Sequence, residues 1–201
     1  MFASLSASPS LGQMLALGSA LAWAVAVVLF RVSGRRIHPI GLNLGKNVLA
    51  MVLLVPTLLV LGESFASPVP ASSVILLLVS GVLGIGVSDT LFFHALNRLG
   101  ASLTAIVDCF YSPFVIALSF VMLGERLTLV QLAGAGLVVS AVLTLSKEGK
   151  IERIDRRDLV AGIVYGILAM FFVALGIVMV KPILDDVSVF WATFVRLAGG
   201  T

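Results

Sequence analysis

Two aspartates, Asp89 and Asp108, lie in the most apolar part of the chain, and Lys46, His94, Thr104, Tyr111 and Ser112 are polar or ionisable residues set in similar surroundings. Carboxylates, an ammonium, an imidazole and hydroxyls are the groups that take up and release protons or hold a polar solute. The run GVLGIGVSDTLFFHALNRLG, residues 81–100, shows the contrast most clearly, because Asp89, His94 and Arg98 interrupt a glycine-rich apolar segment. Other chemistry lacks its residues. There are two histidines and no HExxH pair, and VSG at 79–81 lacks the first glycine of a GxSG turn. An intramembrane hydrolase would need such groups. The single cysteine, Cys109, excludes an intrachain disulfide and a multi-cysteine metal site. No metal and no cofactor is expected.

The elements that carry these residues follow from composition. Hydrophobic residues make up 60% of the chain and charged residues 11%, against about 25% charged in a soluble domain. So few charges cannot cover a water-facing surface, and lipid is the expected solvent for most of the chain. The net charge of +3 is too small to suggest nucleic acid. A span needs about 20 mostly apolar residues. The stretches 11–30, 40–61, 71–96, 101–123, 127–146 and 159–180 qualify, and a further one begins near Val187. The first, LGQMLALGSALAWAVAVVLF, has no basic leader segment, is too long for a signal peptide, and reads as a retained span. Lipid offers backbone polar groups no partner, so these spans must be helices. The expected fold is an all-α polytopic membrane protein.

Counting from the NRLG turn places the two aspartates together. Asp89 lies ten residues before Leu99 and Asp108 nine after it. On adjacent antiparallel helices both sit about 14 Å deep in a core about 30 Å thick. Lys46 and His94 are shallower. An ionised aspartate at that depth must be paired, wet or protonated. One reading is a pair of carboxylates that lines an aqueous cavity and couples transport to protons. The other is that Asp89 is paired to Lys46 and fixes helix packing. His94 either joins the first arrangement or simply reaches the interface. On the fourth span, Thr104, Asp108, Tyr111, Ser112 and Ser119 share a helical face, and Pro113 removes a backbone donor beside it. That face reads either as a cavity wall or as polar glue between helices. The small-residue stripes at Ala16, Ala20 and Ala24, at Gly162 and Gly166, and at Gly136 and Ser140 read as helix contacts. Trp23 and Trp191 read as packing or interfacial anchors.

Charge also orients the chain. The loops 31–39, 97–100 and 147–158 fall on one side and hold Arg31, Arg35, Arg36, Arg98, Lys147, Lys150, Arg153, Arg156 and Arg157. The other side has Arg126 and Lys181. The positive-inside rule makes the first side cytoplasmic and places the N-terminus outside.

A shift of 150 residues lays Gly12, Ala16, Ala24 and Ala26 on Gly162, Gly166, Ala174 and Gly176, Arg31 on Lys181, and Lys46 on Arg196. The expected organisation is a tail at 1–10, a five-helix repeat at 11–146, a charged linker at 147–158, and the start of a second repeat at 159–201. An odd number of helices inverts the second unit, as in many secondary transporters, with a site near the midplane. The run VRLAGGT ends within an apolar stretch, and the expectation is a truncated chain whose whole protein has about 300 residues.

These residues resemble a family. GVLGIGVSDTLFFHALNRLGAS, followed by SPFVIALSFVMLGERLTLVQLAGAGLVVSAVLTL, is similar to an EamA domain of the drug/metabolite transporter superfamily. The helix proline Pro113, the turn residues Gly124, Glu125 and Arg126, and Gly134 carry the pattern. LAWAVAVVLFR resembles the first helix of such a domain, and GIVYGILAMFFVALGIVMVKPIL the start of a second. The resemblance implies ten helices in two inverted halves that move a small metabolite or drug. The implied partners are a small-molecule substrate, the lipid bilayer, and either a dimer mate or a missing second half. The implied location is a cell membrane of the prokaryotic inner-membrane type. Glu125 and Arg126 read as turn and cap residues. The rival function is a receptor or assembly subunit without transport.

Overall fold

The computed structural model describes residues 9–60, 62, 69–126, 128–148 and 154–201. Most of the expected tail and residues 149–153 of the expected linker lie outside these. The described residues are helical with short connections and contain no strand. The order is α1 (Pro9–Ser33), α2 (Pro39–Val60), α3 (Ala71–Gly81), a π-helix (Val82–Val87), α4 (Ser88–Asp108), α5 (Tyr111–Leu123), α6 (Leu129–Glu148), α7 (Arg156–Val180), a 3-10 turn (Lys181–Ile183) and α8 (Val189–Gly199). Among the described residues, four helical segments are long and apolar enough to cross a membrane. The chain is an all-α polytopic membrane protein.

Helix α4 is two arms rather than one rod. Gly100 adopts φ 78°, ψ 170° within it, a conformation that ends the helix and that glycine alone adopts without cost. The chain then doubles back. Gly166 of α7 faces both Ala95 and Val107, which lie on opposite sides of Gly100 in sequence. The two residues are therefore at similar depth on antiparallel arms. The 38-residue, mostly apolar stretch from Ala71 to Asp108 thus holds one full pass and the start of the next. A second break falls at Cys109 and Phe110. Pro113 has no N–H to offer the Cys109 carbonyl and its ring crowds that position, so the helix restarts at Tyr111 with the proline in its first turn.

Helix α7 is the centre of the packing and lies against both arms of α4 and against α5. Its Gly162 faces the Leu99 side chain and its Gly166 the Val107 side chain. Phe92, Phe93 and Leu96 of α4 bury themselves on Ala169 and Met170 of α7. Helix α8 lies against α3 and α2, and Trp191 and Ala192 bury against Leu77 and Val180. Helix α7 crosses the π-helix tightly because glycine meets glycine. A Cβ on Gly176 would stand 2.8 Å from Gly84 Cα and 2.9 Å from the Ser80 carbonyl oxygen. By contrast α1 and α2 carry many exposed large apolar side chains, among them Leu17, Leu21, Leu49 and Leu53, as lipid-facing helices do.

The turn after α5 shows how the chain reverses. Gly124 sits in the left-handed region at φ 66° and ends the helix. Thr128 and Gln131 then form a reciprocal cap for α6, with the Thr128 amide donating to Gln131 Oε1 at 2.9 Å and the Gln131 amide to Thr128 Oγ1 at 3.3 Å. The carboxylate of Glu125, expected as a turn and cap residue, pairs with Lys181. At the other end of the helices Arg31 donates to the Asn97 carbonyl at 2.7 Å, and Arg98 pairs with Asp158 at 3.6 Å. The basic loops at 31–39 and 97–100 and the start of α7 therefore share one end of the bundle.

Two predictions follow from this packing. Gly176→Leu drives a side chain into the backbone of Gly84 and Ser80, whereas a Cβ on Gly136, as Gly136→Leu would place there, meets nothing within 4 Å. The first should lower stability in detergent by about 1–3 kcal/mol, and the second should leave the thermal unfolding midpoint near wild type. Equal midpoints for the two variants would contradict the crossing. For orientation, the exposed Cys109 is first removed as Cys109→Ser, and Arg157→Cys is introduced. An impermeant maleimide applied to intact cells should fail to label it until the cells are opened. Labelling from outside would reverse the assignment.

Candidate functional site

The site begins at the first arm of α4. The π-helix before it supplies a wider turn and leaves carbonyl oxygens without their usual helical donors. Asn43 of α2 fills that need. Its Nδ2 donates to the Ile85 carbonyl at 3.1 Å, the Gly86 carbonyl at 2.9 Å and Thr90 Oγ1 at 3.1 Å. One helical turn along, Asn47 Nδ2 donates to the Gly200 carbonyl at 2.9 Å. Ser88 Oγ donates across to the Ala169 carbonyl at 3.0 Å. The start of α4 is thus tied to α2 and α7 by buried hydrogen bonds.

Between these ties Lys46 reaches Asp89. The Lys46 Nζ to Asp89 Oδ2 distance is 2.6 Å, and both side chains are about three-quarters buried. Arg196 of α8 lies within electrostatic reach of the same carboxylate and of Tyr111, and its Nε donates to Ser80 Oγ at 3.1 Å. Lys46 is the eighth residue of α2, and Arg196 the eighth of α8. Two basic residues at matching helix positions therefore converge on one aspartate.

Asp108 is held differently. Its Oδ2 accepts a hydrogen bond from Trp23 Nε1 at 3.2 Å. Among the described residues no lysine or arginine forms an ion pair with it. A cavity of about 280 Å³ lies between the two aspartates, walled by Trp23, Ser88, Asp89, Phe92, Asp108, Tyr111, Met170 and Val173. A second hollow of about 340 Å³ shares Trp23, Phe92 and Asp108 and continues between α1 and the second arm of α4. Asp89, Asp108 and Tyr111 are thus brought together around one space, with Lys46 behind Asp89.

The remaining sequence candidates stand elsewhere. His94 lies in a boundary cluster, 5.8 Å from the His38 ring and 5.5 Å from the Tyr165 ring, with Arg98 over Tyr165 at 4.9 Å. Thr104 is buried and donates to the Gly100 carbonyl at 2.7 Å. Ser112 is exposed and does not wall the cavity. The break at Cys109 and Phe110 explains this, since it changes the helical phase between Asp108 and Ser112. Pro113, Gly124, Glu125 and Arg126 lie in and after α5, and Gly134 in α6 meets nothing within 4 Å. Sequence reasoning passed over Asn43, Asn47 and Ser88, read Trp23 only as an anchor, and noted Arg196 only as a repeat match. Asn43, Lys46 and Asn47 did carry a signal, since residues three and four apart share a helix face.

A space of this size between polar side chains within a helical membrane bundle suits binding of a small solute or a proton. Comparison with known proteins places the chain in a family. An uncharacterized transporter of Archaeoglobus fulgidus is 26% identical over 184 residues, which cover 92% of this chain and 63% of the relative. The chain thus spans less than two thirds of the length of that curated relative. No solved structure matches the chain. The model of the EamA-like transporter family matches residues 10–147. That match takes in α1 to α6 and both aspartates, and the chain belongs to the EamA-like transporter family.

Proposed function

We propose that the protein works as a secondary transporter of the cell membrane, moving a small organic solute in exchange for or together with protons. In this reading residues 11–146 form one helical repeat, 147–158 a linker, and 159–201 the start of an inverted second repeat. The observation that carries the proposal is the cavity of about 280 Å³ bounded by Asp89, Asp108, Tyr111 and Trp23; secondary transporters place their sites between helices in this way.

The two carboxylates take different parts. Asp89 is neutralised by Lys46 and lies in the field of Arg196. Its main work is to hold α2 and α4 together and to close the charge balance of the bundle. Asp108 has one N–H donor and no ion-pair partner among the described residues. A carboxylate so placed within lipid is stable when it holds a proton or a bound cationic group. It is therefore the group that exchanges protons with the cavity, and Tyr111 is the polar contact nearest to it along the chain among the cavity walls.

The test uses full-length protein in proteoliposomes with a substrate screen by counterflow. Asp108→Asn should abolish proton-driven accumulation and leave exchange of bound solute partly intact. Asp89→Asn should lower the amount of folded protein, and Lys46→Met should restore part of it by removing the orphaned charge. The pH dependence of uptake should survive in the Asp89→Asn, Lys46→Met double variant. An unchanged pH dependence in Asp108→Asn would overturn the assignment. Absence of counterflow for every solute in folded wild-type protein would favour a receptor or assembly role.

A further inference from the structure

The walls of the cavity also bear on what it takes. Three aromatic rings, Trp23, Phe92 and Tyr111, stand beside the Met170 thioether and the Val173 side chain. The Trp23 and Phe92 ring centroids are 5.7 Å apart and tilted by 39°. Aromatic faces carry negative charge and attract cations most strongly where water is excluded.

Charge is uneven along this wall. At one end Asp89 is matched by Lys46 from α2, with Arg196 from α8 in electrostatic reach of both Asp89 and Tyr111. That end offers no net negative charge. At the other end Asp108 faces Trp23 from α1, Tyr111 from α5, and the apolar Met170 and Val173 from α7. A carboxylate has about four acceptor sites, and among the described residues the Trp23 N–H occupies one of them. An anionic solute would meet Asp108 and the ring faces unfavourably. A neutral solute would leave Asp108 to be neutralised by a proton, whereas a cation supplies the countercharge itself. We infer that the Asp108–Trp23–Phe92 end of the cavity is the binding site for the head group of an organic cation, whose apolar body lies along Met170 and Val173 or in the adjoining hollow beside Ala24 and Val28. The inference deepens the transport reading and rests on the same cavity. It assigns the substrate class and makes proton and cation competitors for one carboxylate.

Equilibrium binding of radiolabelled phenyltrimethylammonium to the chain in nanodiscs tests this without requiring transport. This probe has no N–H, so it reports charge and ring contact alone. Binding should be saturable, and an excess of unlabelled tert-butylbenzene or benzoate should not displace it. Asp108→Asn should weaken it at least tenfold, while Asp108→Glu should retain most of it. Trp23→Ala should weaken it and Trp23→Phe should not. Circular dichroism and gel filtration report whether each variant folds. Wild-type protein supplies a second readout, because affinity should fall as pH is lowered and protons fill Asp108. Equal affinity in Asp108→Asn, displacement by benzoate or the neutral analogue, or a pH-independent affinity in wild type would each overturn the site. Counterflow of an anionic or neutral solute without cation binding would overturn this inference and leave the transport reading standing. Cation binding without any counterflow would do the reverse.

Discussion

An ion within lipid has to be matched, and the Lys46–Asp89 pair is where this bundle meets that requirement. Removing one partner of such a pair leaves a charge with no water to solvate it, at a cost of about 3–5 kcal/mol when fully buried. These side chains retain about a quarter of their exposure, so screening reduces that cost. The pair still joins α2 to α4 through a 2.6 Å contact. Arg196 approaches the same carboxylate from α8, so three helices are referenced to one side chain. With Asp89 committed in this way, Asp108 is the cavity carboxylate that has no ion-pair partner among the described residues.

Backbone shape makes that convergence possible. The π-helix at Val82–Val87 widens the third span just before Ser88 and Asp89. Its exposed carbonyls would be costly in lipid without donors, and Asn43 and Thr90 supply them. On its other side Gly84 lets α7 approach through Gly176. Gly81 lies against the Arg196 backbone, which keeps that arginine within reach of Ser80 and the cavity end. Phe92, Phe93 and Leu96 then anchor the arm on α7. The polar cluster is thus framed by tight glycine contacts on one side and aromatic packing on the other.

Much of this was legible in the sequence because hydropathy in lipid is a strong signal. The spans at 40–61, 127–146 and 159–180 correspond closely to α2, α6 and α7. The NRLG turn made the nearness of Asp89 and Asp108 legible, because Gly100 reverses the chain there and both residues wall one cavity. Lys46 was foreseen as one of two possible fates for Asp89. The rest depended on contacts that spacing does not encode. Trp23 is one ring in an uncharged run, and only the fold brings its N–H to Asp108. The pairing of Glu125 with Lys181 joins residues far apart in sequence and was invisible in a turn that reads as a cap. Ser112 looked like a neighbour of Asp108 because an unbroken helix was assumed. The break beside Pro113 turns it outward.

The central claim is that the two aspartates differ in kind, Asp89 being paired and Asp108 exchangeable. Difference infrared spectroscopy of the protein in lipid, recorded across a pH titration, reads this directly through the carbonyl stretch of a protonated carboxylic acid. The account predicts that a titrating acid band disappears in Asp108→Asn and persists in the Asp89→Asn, Lys46→Met double variant. A band that survives Asp108→Asn and vanishes with Asp89 would contradict it.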